Sequence, residues 1–131
     1  MTQDVMTIRE MCEAFEVTPR TLRFYESKEL LFPIRQGQKR LFTRRDRGRL
    51  KLILRGKRFG FSLEDIRQLL DLYDRGDQQE TQLLRTYEIA RERLSQMERQ
   101  RDELNEAIAE LRGQLEIGAE MIASFRRTAA E

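Results

Sequence analysis

The sequence predicts a mainly α protein, a winged helix-turn-helix head followed by a long coiled-coil dimerisation helix. Three observations carry this. Capped helix starts recur at short intervals through the first half of the chain. A heptad pattern then runs unbroken from Leu83 to Phe125. The composition, 37% charged and 8% aromatic with no tryptophan and two prolines, suits solvated helices better than one large core.

Taken in order, Thr7-x-x-Glu10 is a capping box that opens a first helix through about Phe15. Its buried stripe is Ile8, Met11, Cys12 and Phe15, at helical spacing. A break at Glu16-Val17 leads to VTPRTLRFYE. Here Thr18 is the N-cap and Pro19 occupies the first helical position, where its missing N–H costs nothing. Val17 and Leu22 stand where a hydrophobic staple forms. Arg20, Arg23 and Phe24 share one face of this helix, while Leu22 and Tyr25 lie on another. One face suits a core and the other an anionic partner.

LLFPIR, the turn formers QGQ and then KRLFT predict a two-stranded wing, with its turn at Gln36-Gly37. Thr43-x-x-Asp46 caps a third helix that Gly60 ends. Ser62-x-x-Asp65 caps a fourth, whose apolar stripe is Ile66, Leu69, Leu70 and Tyr73. DRGDQ, residues 74–78, reads as a polar linker. The domain boundary is therefore expected between a head of residues 1–75 and a coil with its tail, residues 76–131.

Along the heptad the seam positions are Leu83, Tyr87, Ala90, Leu94, Met97, Arg101, Leu104, Ile108, Leu111, Leu115, Gly118, Ile122 and Phe125. Spacing alternates four and three throughout, and 11 of these 13 residues are apolar. Only a 3.5-residue period keeps one stripe facing a partner. A seam approaching ~60 Å, at ~1.5 Å per residue, needs a second chain to cover it, most simply a second copy. Arg101, polar within the seam, fixes register or snorkels to solvent. Gly113 and Gly118 each cost about 1 kcal/mol relative to alanine, so the helix either runs through them or breaks near Gly113.

Charge separates the two halves. Residues 1–62 hold 15 Lys/Arg against 7 Asp/Glu, a net of +8, whereas residues 63–131 hold 10 against 16, a net of −6. The densest stretch, residues 35–58, carries 11 basic side chains and one acid, Asp46. Arginine's planar fork makes bidentate, charge-assisted bonds to phosphate. A basic wing beside a helix-turn-helix divides the work: helix residues reach base edges, while wing and third-helix residues hold phosphates.

Other chemistries find little support. The chain has no histidine and one cysteine, so nucleophile–base pairs and a Cys/His metal site within the chain are excluded. Cys12 lies on a core stripe, where it serves as a small hydrophobe. Met97 and Met121 fit packing better than soft-metal ligation. No cofactor is expected, and no apolar run suggests a membrane partner, so a cytoplasmic location is the default.

VTPRTLRFYESKELLFPIR, then KRLFT, then GFSLEDIRQLLDLYD closely resembles the MerR family of bacterial transcriptional regulators, over about residues 5–75. The resemblance implies an antiparallel homodimer on a pseudo-palindromic promoter spacer of double-stranded DNA. It implies that activation comes from distorting an over-long spacer, with bacterial RNA polymerase engaged indirectly. A small-molecule effector is possible, and the sequence leaves both its existence and its identity open. Carried over by position, Arg20, Arg23, Phe24 and Tyr25 approach DNA from the recognition helix, and Arg40 does so from the wing. With the residues around them, the expected DNA contacts are Thr18, Arg20, Thr21, Arg23, Phe24, Tyr25, Arg35, Lys39, Arg40, Arg55 and Arg58. The expected dimer contacts are Leu83, Tyr87, Leu94, Met97, Arg101, Leu104, Ile108 and Leu111.

The chain departs from the family pattern in three places. Glu29 stands where a glycine usually ends the recognition helix, and Lys39 replaces the aromatic before the wing arginine. The cysteines that metal- and redox-sensing members carry around the dimerisation helix are missing. GKRFGFSLEDI and the cysteine-free tail are more similar to regulators of branched-chain amino-acid and acyl-CoA breakdown. The rival reading is an architectural or adaptor coiled-coil protein that binds DNA without switching a promoter.

Overall fold

A computed structural model describes residues 4–75 and 80–130. It divides into two compact units, Met1–Ile89 and Ala90–Glu131. In the first unit the order is β1 (Val5–Thr7), α1 (Ile8–Phe15), α2 (Pro19–Ser27), β2 (Ile34–Gln36), β3 (Lys39–Thr43), α3 (Arg44–Arg58) and α4 (Leu63–Arg75). α5 (Glu80–Ala130) begins in this unit and supplies the second.

The capping residues form as their spacing predicts. Thr7 and Glu10 close a reciprocal box on α1, and Thr43 and Asp46 close another on α3. Thr18 caps α2, with Pro19 in its first turn. The wing gains a third strand, since β1 pairs antiparallel with β3, giving the sheet order β1-β3-β2. Gln36 pairs with Lys39, so the hairpin loop is Gly37-Gln38, one residue later than Gln36-Gly37. Its cause is Gly37, whose φ of 60° suits the first loop position of a two-residue hairpin.

Met11 of α1, Leu22 and Tyr25 of α2, Leu30, Leu31, Phe42 of β3, Leu50 and Ile53 of α3, and Ile66 and Leu70 of α4 make one buried cluster. Cys12, Phe15 and Val17 pack against it, half-buried. Tyr73 does not join it, although it shares the helical stripe. It is 47% exposed, its hydroxyl lying where a Cβ on Gly48 would come within 2.2 Å. The amphipathic ring lies along α3 at a gap that only glycine leaves, with its other side in water.

α2 and α3 end in the same way. The Leu30 N–H donates to the Tyr25 carbonyl (2.9 Å) and the Glu29 N–H to that of Glu26 (3.0 Å). At α3 the Phe61 N–H donates to Gly56 (2.9 Å) and the Gly60 N–H to Lys57 (3.0 Å). Both are Schellman closures, which require a left-handed residue after the cap. Gly60 takes it at φ 77°, but Glu29 takes it at φ 58°, where a side chain is strained.

Asp74 and Arg75 were expected in a polar linker, but they close α4; residues 76–78 of that segment lie outside the described residues. α5 is one uninterrupted helix through Gly113 and Gly118. Neither glycine has a neighbour within 4 Å of where a Cβ would stand, and a propensity cost of about 1 kcal/mol each does not break it. Among the described residues no helix is long and apolar enough to cross a membrane.

Candidate nucleic-acid interface

Two surfaces stand out, one charged and one apolar. On α2, Arg20, Arg23, Phe24 and Ser27 face solvent, while Leu22 and Tyr25 face the core. Tyr25 therefore departs from the expected DNA contact. At 5% exposed its ring is a core component, and burial pushes its phenol above the usual tyrosine range. Phe24, 45% exposed, packs its ring 5.7 Å from that of Tyr25, and Lys28 lies 5.7 Å from the Phe24 ring. Thr18 and Thr21 are partly committed to the cap: the Thr21 N–H donates to Thr18 Oγ1 (3.2 Å), and the two hydroxyls lie 2.9 Å apart.

The wing is tied to this helix through one carboxylate. Arg40 Nε donates to Glu26 Oε1 at 2.6 Å, and Arg35 Nη1 to Glu26 Oε2 at 3.1 Å. Arg35 and Arg40 are directly opposed across β2 and β3, so their side chains share a face of the hairpin. Asp46 fixes the other end of the wing. Its carboxylate accepts the Thr43 N–H (3.4 Å) in the α3 capping box and the Phe32 N–H (2.9 Å), although Asp46 is only 2% exposed. Lys39 is exposed at the wing tip, and no ion pair holds it among the described residues.

The basic run of α3 does two different things. Arg44, Arg47, Lys51, Arg55 and Arg58 recur at three- and four-residue spacing and share the face opposite Leu50, Ile53 and Gly56. Asp4 pairs with Arg44 (3.2 Å) and Arg47 (2.7 Å). Arg55 and Arg58 remain exposed, and among the described residues no hydrogen bond or ion pair joins them to α2.

Arg45 and Arg49 face Asp74 instead. Arg49 is 3% exposed, donates Nε to the Leu30 carbonyl (2.7 Å) and gives Nη1 to Asp74. Its guanidinium also lies 5.2 Å from the Phe32 ring. Arg49 is thus an internal brace, unavailable to phosphate. Arg67 completes the frame by donating to the Lys28 carbonyl (2.7 Å) at the end of α2.

Glu26, Asp4 and Asp74 were not singled out in the sequence. Their partners lie between 9 and 43 residues away, and no local spacing marks such pairs. Cys12 is half-buried, and burial pushes its thiol up, so it is a poor thiolate.

The apolar surface is the α5 seam. Leu83, Tyr87, Leu94, Met97, Leu104, Ile108, Leu111, Leu115, Ile122 and Phe125 are between 38% and 72% exposed. Large aliphatic and aromatic side chains repeating at heptad spacing in water form a surface with a partner to find. Arg101 bonds only its neighbour Asp102 among the described residues, at 3.2 Å.

Comparison with known proteins identifies the family. A family model described as MerR HTH family regulatory protein matches residues 6–72, and one described as MerR, DNA binding, matches residues 47–114. The HTH-type transcriptional regulator ZntR of Escherichia coli (strain K12) is 39% identical over 93 residues, 70% of this chain and 64% of ZntR. The chain thus spans just under two thirds of that relative. HmrR of Rhizobium leguminosarum bv. viciae, also an HTH-type transcriptional regulator, is 33% identical over 102 residues, 77% of each chain. Among solved structures, the transcription regulator PbrR691 from Ralstonia metallidurans CH34, in complex with lead(II), superposes with a TM-score of 0.65. It is 29% identical, over 81% of this chain and 82% of that one. HiNmlR, a MerR family regulator lacking the sensor domain and bound to promoter DNA, gives 0.50 at 31% identity over 86% and 79%. Each family model covers more than half of the sequence, and the chain belongs to the MerR family.

Proposed function

We propose that the protein is a homodimeric, sequence-specific regulator of transcription that distorts promoter DNA. The observation that carries this reading is the pairing of an exposed Arg/Phe helix face with a basic wing locked to the same helix. An α-helix fits the DNA major groove, about 12 Å wide, and arginine forks match guanine edges there. Wing arginines beside it fall at the backbone. In this reading residues 1–75 form the head and residues 76–131 the coil, whose seam a second copy covers. Two-fold symmetry then presents two recognition helices to inverted half-sites. A stiff coil sets the distance between heads, so a spacer of the wrong length bends or twists to satisfy both. Smooth bending of that kind costs roughly 1–6 kcal/mol, which phosphate contacts offset. Polymerase is engaged through the reshaped promoter, and an effector would act by shifting the dimer between two spacings.

PbrR691 binds lead(II), a soft metal suited to thiolates. The donors here do not fit such a site: the sequence has no histidine and one cysteine, half-buried on α1. Any effector bound by these residues would therefore be a small molecule and not a soft metal.

The test is a target promoter with its spacer shortened outside the half-site contacts. It should fire without the protein and be repressed when the dimer binds. A shortened promoter that stays silent alone yet is activated normally overturns distortion in favour of polymerase recruitment. Equal affinity for operator and random DNA, where a regulator separates them by roughly 10³ or more, leaves an architectural protein.

A further inference from the structure

We infer that Glu26 is a positioning residue that sets DNA discrimination, holding the wing arginines for the operator while withholding part of their charge from random DNA. The inference rests on the regulator reading above. Both carboxylate oxygens are used, one by Arg40 Nε and one by Arg35 Nη1. Directly opposed like charges on a hairpin repel, and Glu26 sits between them as their shared counter-ion. The three side chains together carry one net positive charge, where the two arginines alone would carry two.

Geometry makes this more than a structural brace. Glu26 lies one turn beyond Arg23 on the recognition helix, so the wing is indexed to the helix that reads bases. Each guanidinium has five N–H donors, and each gives one to Glu26. The remaining donors are free for phosphate in an orientation already fixed. The Arg35 side chain is half-exposed and that of Arg40 about a quarter exposed.

On the operator, the seated helix brings the pre-aimed forks onto phosphates, and little freedom is lost. On random DNA, where attraction is almost wholly coulombic, the nearby carboxylate subtracts from it. Glu26 thus lowers non-specific affinity more than specific affinity. The ratio between the two is what a regulator needs in a genome full of competing sites.

The experiment uses the full-length chain. A binding site is first selected from a pool of random duplexes, and failure to enrich an inverted repeat sinks the regulator reading itself. Affinities for the selected duplex and for a scrambled duplex are then measured against salt, alongside thermal midpoints. Glu26→Gln should bind the scrambled duplex more tightly and steepen its salt slope by ~0.9 per phosphate gained per protomer. Across a fourfold change in salt, each such contact alters affinity roughly threefold. The specificity ratio should fall. A purely structural role predicts equal losses on both duplexes with an unchanged slope, and that result overturns the inference. Should Glu26→Gln unfold, Glu26→Asp carries the test. It keeps the charge but falls a methylene short, so the slope stays at the wild-type value while the ratio falls; an unchanged ratio overturns the inference.

Discussion

Replacing Asp74 with alanine should destabilise the head more than any other surface-charge deletion. Asp74 Oδ2 receives Arg49 Nη1 and Arg45 Nη2, and Oδ1 receives Arg45 Nε. The two arginines differ in what they lose. Arg45 is more than half-exposed, so water replaces its partner at a cost under about 1 kcal/mol. The Arg49 side chain is 4% exposed and keeps the Leu30 carbonyl and the Phe32 ring as its remaining partners. Breaking a buried pair from one side costs about 3–5 kcal/mol. Asp74 itself is about a quarter exposed, so water admitted at the vacated site lowers the expected loss to about 2–4 kcal/mol. Against a typical total of about 5–15 kcal/mol, that is a large fraction.

Urea unfolding at fixed chain concentration measures this loss, with Arg45→Ala as the matched control below 1 kcal/mol. Acid adds a second reading. The Arg45 hydrogen bond, then the nearby guanidinium charges, hold the Asp74 carboxyl below its ordinary range against the opposing effect of burial. A depressed folded value means the contribution is complete above the unfolded pKa, about 3.9, and is lost as pH falls through the lower folded one. Wild-type and Asp74→Ala stabilities should therefore converge in strong acid. If the alanine variant lies within about 1 kcal/mol of wild type at neutral pH, Arg49 is not the buried brace described here.

Arg23→Ala should cost about 1–3 kcal/mol on the selected operator and flatten discrimination among sequences. Arg40→Ala should lose a phosphate contact, lower the salt slope and weaken the operator more than random DNA; equal losses for Arg23→Ala on operator and random DNA would remove its base-reading role. Met97→Glu places a charge in the seam without a dedicated partner, so sedimentation should find monomers, and an intact dimer rejects the seam assignment. Glu29→Gly relieves a left-handed side chain worth ~1–2 kcal/mol, less ~0.4–1 kcal/mol for the freer unfolded chain, a net gain of roughly 0.5–1 kcal/mol. Gly60→Ala at the matching closure of α3 should lose a similar amount, and thermal midpoints that move the other way dispose of the strain argument.

Most of the fold was legible because its signals are local. A capping box spans four residues, and Thr7, Thr18 and Thr43 each cap the helix that their spacing predicts. The seam is equally plain, since each of its members lies three or four residues from the next. Contacts across the chain left no such trace. β1 is three residues long and makes sense only opposite β3. Arg49 looks like every other arginine in residues 44–58 until the fold buries it against Leu30 and Asp74. Tyr25 shows the same limit in reverse. Its position matches a DNA-facing place by resemblance, yet helical phase put it with Leu22, and phase agrees with its burial.

If a second copy covers the exposed α5 seam, gene dosage becomes part of the mechanism. If two chains must meet before either head is held at a half-site, occupancy at low abundance falls with the square of chain concentration. Halving synthesis would then do more than halve the response, giving the promoter a threshold with no added component. The order of synthesis sharpens this. Residues of the head core leave the ribosome before Leu94 and the rest of the distal seam, so each head can fold before its chain is able to pair. Newly made chains would then pass through a monomeric interval in which folded heads hold single half-sites weakly.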